Sequence, residues 1–392
     1  MKRFGKAGMA LFLAVALLAA AFSSCGGSET KAPKRTHDQN TYVLSNKDAK
    51  TPHNFVDGKC TLCDETSIFV QDPVGGTAIL TEECDQKGTV EEIWYDTRAY
   101  FIEETYKAQN PPELNVRKRA FVYLPYGYDK DDTTTKYNVL YLLHGSGLNE
   151  GYWFKMGTYA HNDGVYTKGF GTLNMLDKLM KSGEAEKTII VTPCLYPSDS
   201  TSPNYQADKA AMLPDHPEYE VINNSIELTQ FYGYELKNDL MPYIAEHYNT
   251  YAASGSPEDL IAARDHQGYA GLSLGSMTSY GSIINYCLDY ISYIGSYSGG
   301  PISISSESLI NKVKSEYSQY KINFWYVTAG SGEGGEEGIN TFLTFRDGLG
   351  LQDGSDIKAG DNCAYMLVNG TAHNYATWIT ALYNSMRVFF KK

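Results

Sequence analysis

From residue 88 to the end, short apolar runs and amphipathic stretches take turns along the chain. "TVEEIWY" and "RKRAFVYLP" place apolar side chains at every second position, the pattern of antiparallel strands at the edge of a sheet. "YNVLYLLHG", "KTIIVTPC", "QGYAGL", "YISYIGSYSG", "INFWYVTAG" and "CAYMLVNG" are apolar runs bounded by turn residues, and they predict buried strands. Between them, "LNMLDKLMKSGEAE", "YELKNDLMPYIAEHY", "SMTSYGSIINYCLDY", "SLINKVKSEYSQY", "GINTFLTFRDGL" and "NYATWITALYNSMRVFF" carry the helical period. This alternation predicts an α/β fold, a mainly parallel sheet with helices on both faces. Reactive groups in such sheets gather at the carboxyl ends of the strands.

The N-terminal pattern differs. "MKRFGK" followed by "AGMALFLAVALLAAAF" is a basic segment and an apolar core, as in an export signal covering residues 1–24. It ends in "FSSC", which resembles the lipobox of bacterial lipoproteins, with Phe22 where Leu is usual and Cys25 as the lipidated residue. The expectation is an exported protein, lipid-anchored outside the cytoplasmic or outer membrane; plain secretion is the alternative. Residues 25–51 are polar and aperiodic, as in a tether. Residues 52–86 form a short Cys/His module in which His53, Cys60 and Cys63 are spaced for a structural zinc, with His37 or Cys84 as a fourth ligand. A disulfide is the competing reading. Cys194, Cys287 and Cys363 lie in apolar surroundings and read as buried thiols.

The 392 residues carry a net charge of −13, and removal of the basic N-terminal segment makes the remainder more acidic. Such a chain repels phosphate backbones, which excludes nucleic acid as a partner.

Within this frame "GYAGLSLGSM" puts Ser273 in a G-x-S-x-G turn, with a strand before it and a helix after it. That is the setting of a nucleophile elbow, where Gly271 and Gly275 let strand and helix approach. A serine nucleophile needs a base, and His373 is the only histidine after Ser273. The acid falls between the two. Glu333, just past the strand "INFWYVTAG", is the preferred residue, with Glu336 and Glu337 as competitors in the same glycine-rich stretch. Two backbone N–H groups must face the developing oxyanion: Leu274 supplies one, and Ser146 in "LLHGSGLNEGYWF" the other, with Gly147 next in line. His144 braces that loop. Tyr152 and Trp153 just beyond it are candidates for stacking on substrate. The long polar segment 196–225 reads as an insertion at the site.

The motifs "FVYLPYGYDKDD", "YNVLYLLHGSGLNEGYWF", "RDHQGYAGLSLGSMTSYGSI", "YIGSYSG" and "HNYATW" follow one another as in the esterase D-like α/β-hydrolases. More narrowly, residues 88–392 resemble carbohydrate esterase family one, the feruloyl and acetylxylan esterases. The resemblance implies a serine esterase without a catalytic cofactor, in which Ser273 is nucleophile, His373 base and Glu333 acid. Glu333 stands where the family usually has Asp, Ser276 replaces a second glycine, and Tyr375 and Trp378 are the aromatics near the base and, with Tyr152 and Trp153, the expected substrate contacts. The expected function is hydrolysis of acylated plant cell-wall carbohydrate through an acyl-serine. The alternatives are an acyltransferase of the same fold and a non-catalytic carbohydrate-binding surface lipoprotein.

Overall fold

Strands that are apolar at every position need a layer on each side, and the chain supplies both. The computed structural model describes residues 55–56, 59–60, 68–71, 78–156, 171–196 and 225–391. Strands β1 (Phe55–Val56) and β2 (Lys59–Cys60) form a small antiparallel pair. The main sheet has eight strands: β3 (Thr89–Arg98), β4 (Asn115–Leu124), β5 (Asn138–Leu143), β6 (Thr188–Thr192), β7 (Gln267–Leu272), β8 (Tyr293–Tyr297), β9 (Phe324–Gly330) and β10 (Cys363–Val368). Their order across it is β10-β9-β8-β7-β5-β6-β4-β3. Strand β4 is antiparallel to both β3 and β6, and every other pairing is parallel. Only β3 of the two predicted edge strands lies at the edge, and its exposed-buried alternation reflects that place.

Side-chain alternation divides the core in two. Val139, Tyr141 and Leu143 of β5 face one layer, built on α2 (232–247), α3 (Leu274–Thr278), α4 (Ser306–Glu316) and α5 (Gly335–Leu349). Leu140 and Leu142 face the other, built on α1 (Gly171–Ser182) and α6 (Tyr375–Val388). Burying both faces is the main favourable term of this architecture. Cys194, Cys287 and Cys363 are buried within it and form no disulfide among the described residues.

Three sequence expectations shift. Strand β8 begins at Tyr293 rather than Tyr290, because the N–H groups of Tyr290 and Ile291 bond back to Cys287 O and finish the preceding helix. Helix α5 begins at Gly335, just after Gly334 turns the chain at φ +71°. Glu336 and Glu337 therefore belong to its first turn and not to a loop. The stretch 52–86 does not stop short of the sheet domain, since Phe69 and Leu80 lie in the core beside α6 and α1. Val70 and the Asn384 side chain exchange hydrogen bonds of 3.0 and 2.9 Å. Cys25, His37, His53, Cys63 and the side chain of Cys60 lie outside the described residues. Cys84 is buried, with its thiol 3.7 Å from Asp85 Oδ1.

The loop after β5 is held by a buried histidine. His144 Nε2 accepts from the Leu195 N–H at 3.0 Å, so Nδ1 carries the proton and donates to Gly145 O at 2.8 Å. The bond accepted by Nε2 requires a neutral ring, and burial depresses its pKa from 6.5 to about 4. The unfolded chain thus binds a proton below pH 6.5 that the folded chain refuses until about pH 4, so stability is lost as pH falls through that window. The unfolding free energy measured from pH 7 to pH 4 should fall by about 3 kcal/mol on account of this residue. His144→Gln should be less stable at neutral pH and show a flatter acid slope.

Candidate active site

Five strands deliver side chains to one edge of the sheet. Ser273 follows β7, His144 follows β5, Ser298 follows β8, Glu333 lies three residues past β9 and His373 five past β10. All are carboxyl ends, where the parallel topology opens the layers.

Ser273 occupies the turn between β7 and α3 at φ +53°, ψ −112°. A non-glycine residue there costs roughly 1–3 kcal/mol unless its surroundings hold it. They do. Its N–H donates to Tyr297 O at 2.8 Å, and its carbonyl accepts from the Met277 N–H at 2.9 Å. Both glycines of the motif are steric necessities: a Cβ on Gly271 would stand 2.5 Å from the carbonyl carbon of Gly275, and one on Gly275 2.8 Å from His144 O.

His373 Nε2 lies 3.0 Å from Ser273 Oγ, and His373 Nδ1 lies 2.5 Å from Glu333 Oε2. A carboxylate at Nδ1 fixes the proton there and leaves Nε2 to accept from the serine hydroxyl. The other carboxylate oxygen, Oε1, accepts from Ser298 Oγ at 2.8 Å and from the Gly330 N–H. Burial pushes the Glu333 carboxyl up, but the bonds from His373, Gly330 and Ser298 outweigh it and hold it below the ordinary glutamate value. Acid and base loops are tied together, with the Gly332 N–H donating to Thr371 O at 2.7 Å. The imidazole side chain remains 47% exposed while the carboxylate is 9% exposed, so the ring is open to solvent and the carboxylate is shielded from it.

Ser298 was not singled out by sequence reasoning. It sits at φ +56°, and Trp378 Nε1 donates to its hydroxyl at 3.0 Å. The available signal was "YSGGP", a serine placed at the end of a strand before two glycines and a proline. Ser276 ties α3 to the same loop through a 3.0 Å bond to Gly299 O.

The loop after β5 lies against the elbow, since a Cβ on Gly145 would come within 3.0 Å of Ser273 Cβ. Among the described residues the N–H groups of Leu274 and Ser146 have no acceptor, as oxyanion donors require. The Gly147 N–H instead faces Tyr196 OH at 3.4 Å.

The four aromatic residues read as substrate contacts are buried. Trp153 is fully enclosed and donates to Leu143 O at 3.2 Å; the Tyr375 hydroxyl bonds Thr172 Oγ1 at 3.0 Å. Trp378 packs edge-on against the His373 ring at 5.2 Å, with Tyr152 edge-on behind it at 6.2 Å. They present no open face for stacking and instead support the catalytic loops from below, because apolar area of this size is best buried.

Comparison with known proteins agrees with the fold. The family model described as Putative esterase matches residues 112–343. Endo-1,4-beta-xylanase Y of Acetivibrio thermocellus is 30% identical over 198 residues, which are 50% of this chain and 14% of that protein. The feruloyl esterase module from Clostridium thermocellum, solved as a mutant complexed with sinapinate, superposes with a TM-score of 0.60 at 22% identity, covering 82% of this chain and 95% of that one. A CE1 ferulic acid esterase from Anaeromyces mucronatus gives 0.54 at 19% identity, over 82% and 97%. At these identities the structural likeness concerns the fold. With 232 of its residues matched by the family model, the chain belongs to this esterase family, and its fold is that of the α/β-hydrolases.

Proposed function

We propose that the protein is a carboxylesterase of acylated plant cell-wall carbohydrate that removes hydroxycinnamoyl groups of the ferulate type through an acyl-serine. The observation that carries the reading is the unbroken hydrogen-bonded line Ser273–His373–Glu333 at the strand ends. The xylanase relative and the feruloyl esterase neighbours support the carbohydrate and the acyl group. Acetyl groups on the same polysaccharide are the second arm of the test.

In the first half-reaction His373 Nε2 takes the Ser273 proton as Oγ attacks the ester carbonyl. Charge gathers on the carbonyl oxygen, where the Leu274 and Ser146 N–H groups meet it. His373 returns the proton to the departing sugar oxygen as the C–O bond breaks. Water, deprotonated by the same ring, then releases the carboxylic acid. Glu333 stays ionised and balances the imidazolium, and no step requires a metal or organic cofactor. We further propose export and anchoring through lipidated Cys25, supported by the N-terminal pattern alone. The module with His53, Cys60 and Cys63 is proposed to hold a structural zinc.

A fluorophosphonate probe should label the folded protein but not Ser273→Ala, and feruloylated arabinoxylan fragments should release ferulate faster than acetylated ones release acetate. A folded wild-type chain that takes no label would contradict the mechanism. Faster acetate release would move the assignment to acetylxylan. Ser298→Ala removes one bond that keeps the Glu333 carboxyl acidic. Its loss should lower kcat about tenfold with little change in KM. The carboxyl then rises toward its ordinary value, so the acid limb of kcat should move to higher pH.

A further inference from the structure

At the end of the sheet opposite the triad lies a cavity of about 430 Å³, within the ~300–1,000 Å³ range of small-molecule sites. It is bounded by the last turns of α4 and α5 and by the segments that lead into β9 and β10. Strand β9 has seven residues, so roughly 20 Å of sheet separates this cavity from the turn that carries Glu333. Neither the triad nor the loop after β5 contributes to its walls.

Those walls are aromatic and aliphatic. Tyr317 and Tyr320 are half-buried, with ring centroids 6.3 Å apart, and Val313, Ile322, Leu349 and Leu351 complete the apolar lining. The chain around the rings holds them in place. The Tyr320 N–H donates to Tyr317 O at 2.8 Å. The Arg264 guanidinium lies 5.6 Å from the Tyr320 ring centre, and its Nη2 donates to Lys321 O at 2.9 Å. The 3₁₀ turn that begins at Arg264 ends at His266, whose ring stacks in parallel with exposed Tyr251 at 3.4 Å. One short turn therefore links an aromatic ring on the surface to the two in the cavity, a series suited to an extended ligand.

The charges around the cavity favour a neutral occupant. Tyr317 and Gly350 cap the carboxyl ends of α4 and α5 and line the cavity, so the negative ends of two helix dipoles disfavour an anion. Lys314 and Lys321, the only charged residues of the lining, are exposed and have no ion pair among the described residues, and they disfavour a cation. Their ammonium groups donate hydrogen bonds, and the Ser318 and tyrosine hydroxyls both donate and accept. Rings for C–H faces, with donors and acceptors beside them, match the two kinds of surface that a neutral sugar presents.

We propose that this cavity is a second carbohydrate-binding site, remote from the chemistry, that holds neutral sugar residues of the substrate polysaccharide. The choice of polysaccharide rests on the carbohydrate-ester reading above. A polymer held there keeps its ester groups near the triad, which raises their effective concentration without a new contact at Ser273. The test compares the full-length wild type with Tyr317→Ala/Tyr320→Ala and with Lys321→Gln, using fluorophosphonate labelling of Ser273 to select folded protein. Labelled wild type should co-sediment with insoluble arabinoxylan; the double variant should lose about tenfold in affinity, and Lys321→Gln less. In unlabelled protein the double variant should raise KM on feruloylated arabinoxylan severalfold and leave kcat/KM on methyl ferulate unchanged. Equal sedimentation of wild type and the labelled double variant would overturn the site and leave the esterase reading intact. Equal losses on methyl ferulate and on the polymer would overturn it too, as would sedimentation abolished by high salt, which would mark attraction between charges. A wild type that sediments and cleaves methyl ferulate but releases no ferulate from the polymer would overturn the carbohydrate-ester reading and leave this site standing.

Discussion

At Ser273 the chain leaves a central strand and enters a helix within one residue, at a backbone angle of φ +53°. Much of the site depends on that turn. It forces Gly271 and Gly275 into backbone contact and brings the carbonyls of Leu143 and His144 against the helix start. It also lifts the hydroxyl clear of the sheet, next to the Leu274 N–H, which has no acceptor among the described residues. The strain is local, and the hydrogen bonds to Tyr297 and Met277 hold it on both sides.

A second constraint is the division of labour on Glu333. One oxygen addresses His373; the other is occupied by Ser298 and the Gly330 N–H. A carboxylate bonded on one side only can rotate, and its partner imidazole rotates with it. Bonded on both sides, and with Trp378 holding Ser298, it becomes a fixed support for an exposed base. The carboxylate is thus held by groups at the ends of β8, β9 and β10.

The sheet, the order of its helices and the nucleophile–base pair were legible in the sequence for physical reasons. Fully apolar runs such as "YNVLYLLHG" have few alternatives to a buried parallel strand, and one downstream histidine leaves no choice of base. Glu333 was preferred on strand position alone, and the start of α5 at Gly335 explains why Glu336 and Glu337 do not share its turn. The aromatic residues were misread because composition does not say which face of a ring is covered. Tyr152, Trp153, Tyr375 and Trp378 flank the reactive loops in sequence and lie beneath them in space. Ser298 was passed over because its role is made by three-dimensional convergence: its partners Glu333 and Trp378 are distant in the chain, at separations of 35 and 80 residues.

The central claim is that one strained serine carries the acyl group during turnover. Peptide mass spectrometry of protein quenched with acid during the first turnover of an activated aryl ester tests it most directly. The account predicts a single acyl adduct on the peptide that contains Ser273, absent when His373 is replaced by alanine and the reaction is quenched on the same timescale. An adduct on any other residue, or steady turnover by Ser273→Ala at the wild-type rate, would contradict it.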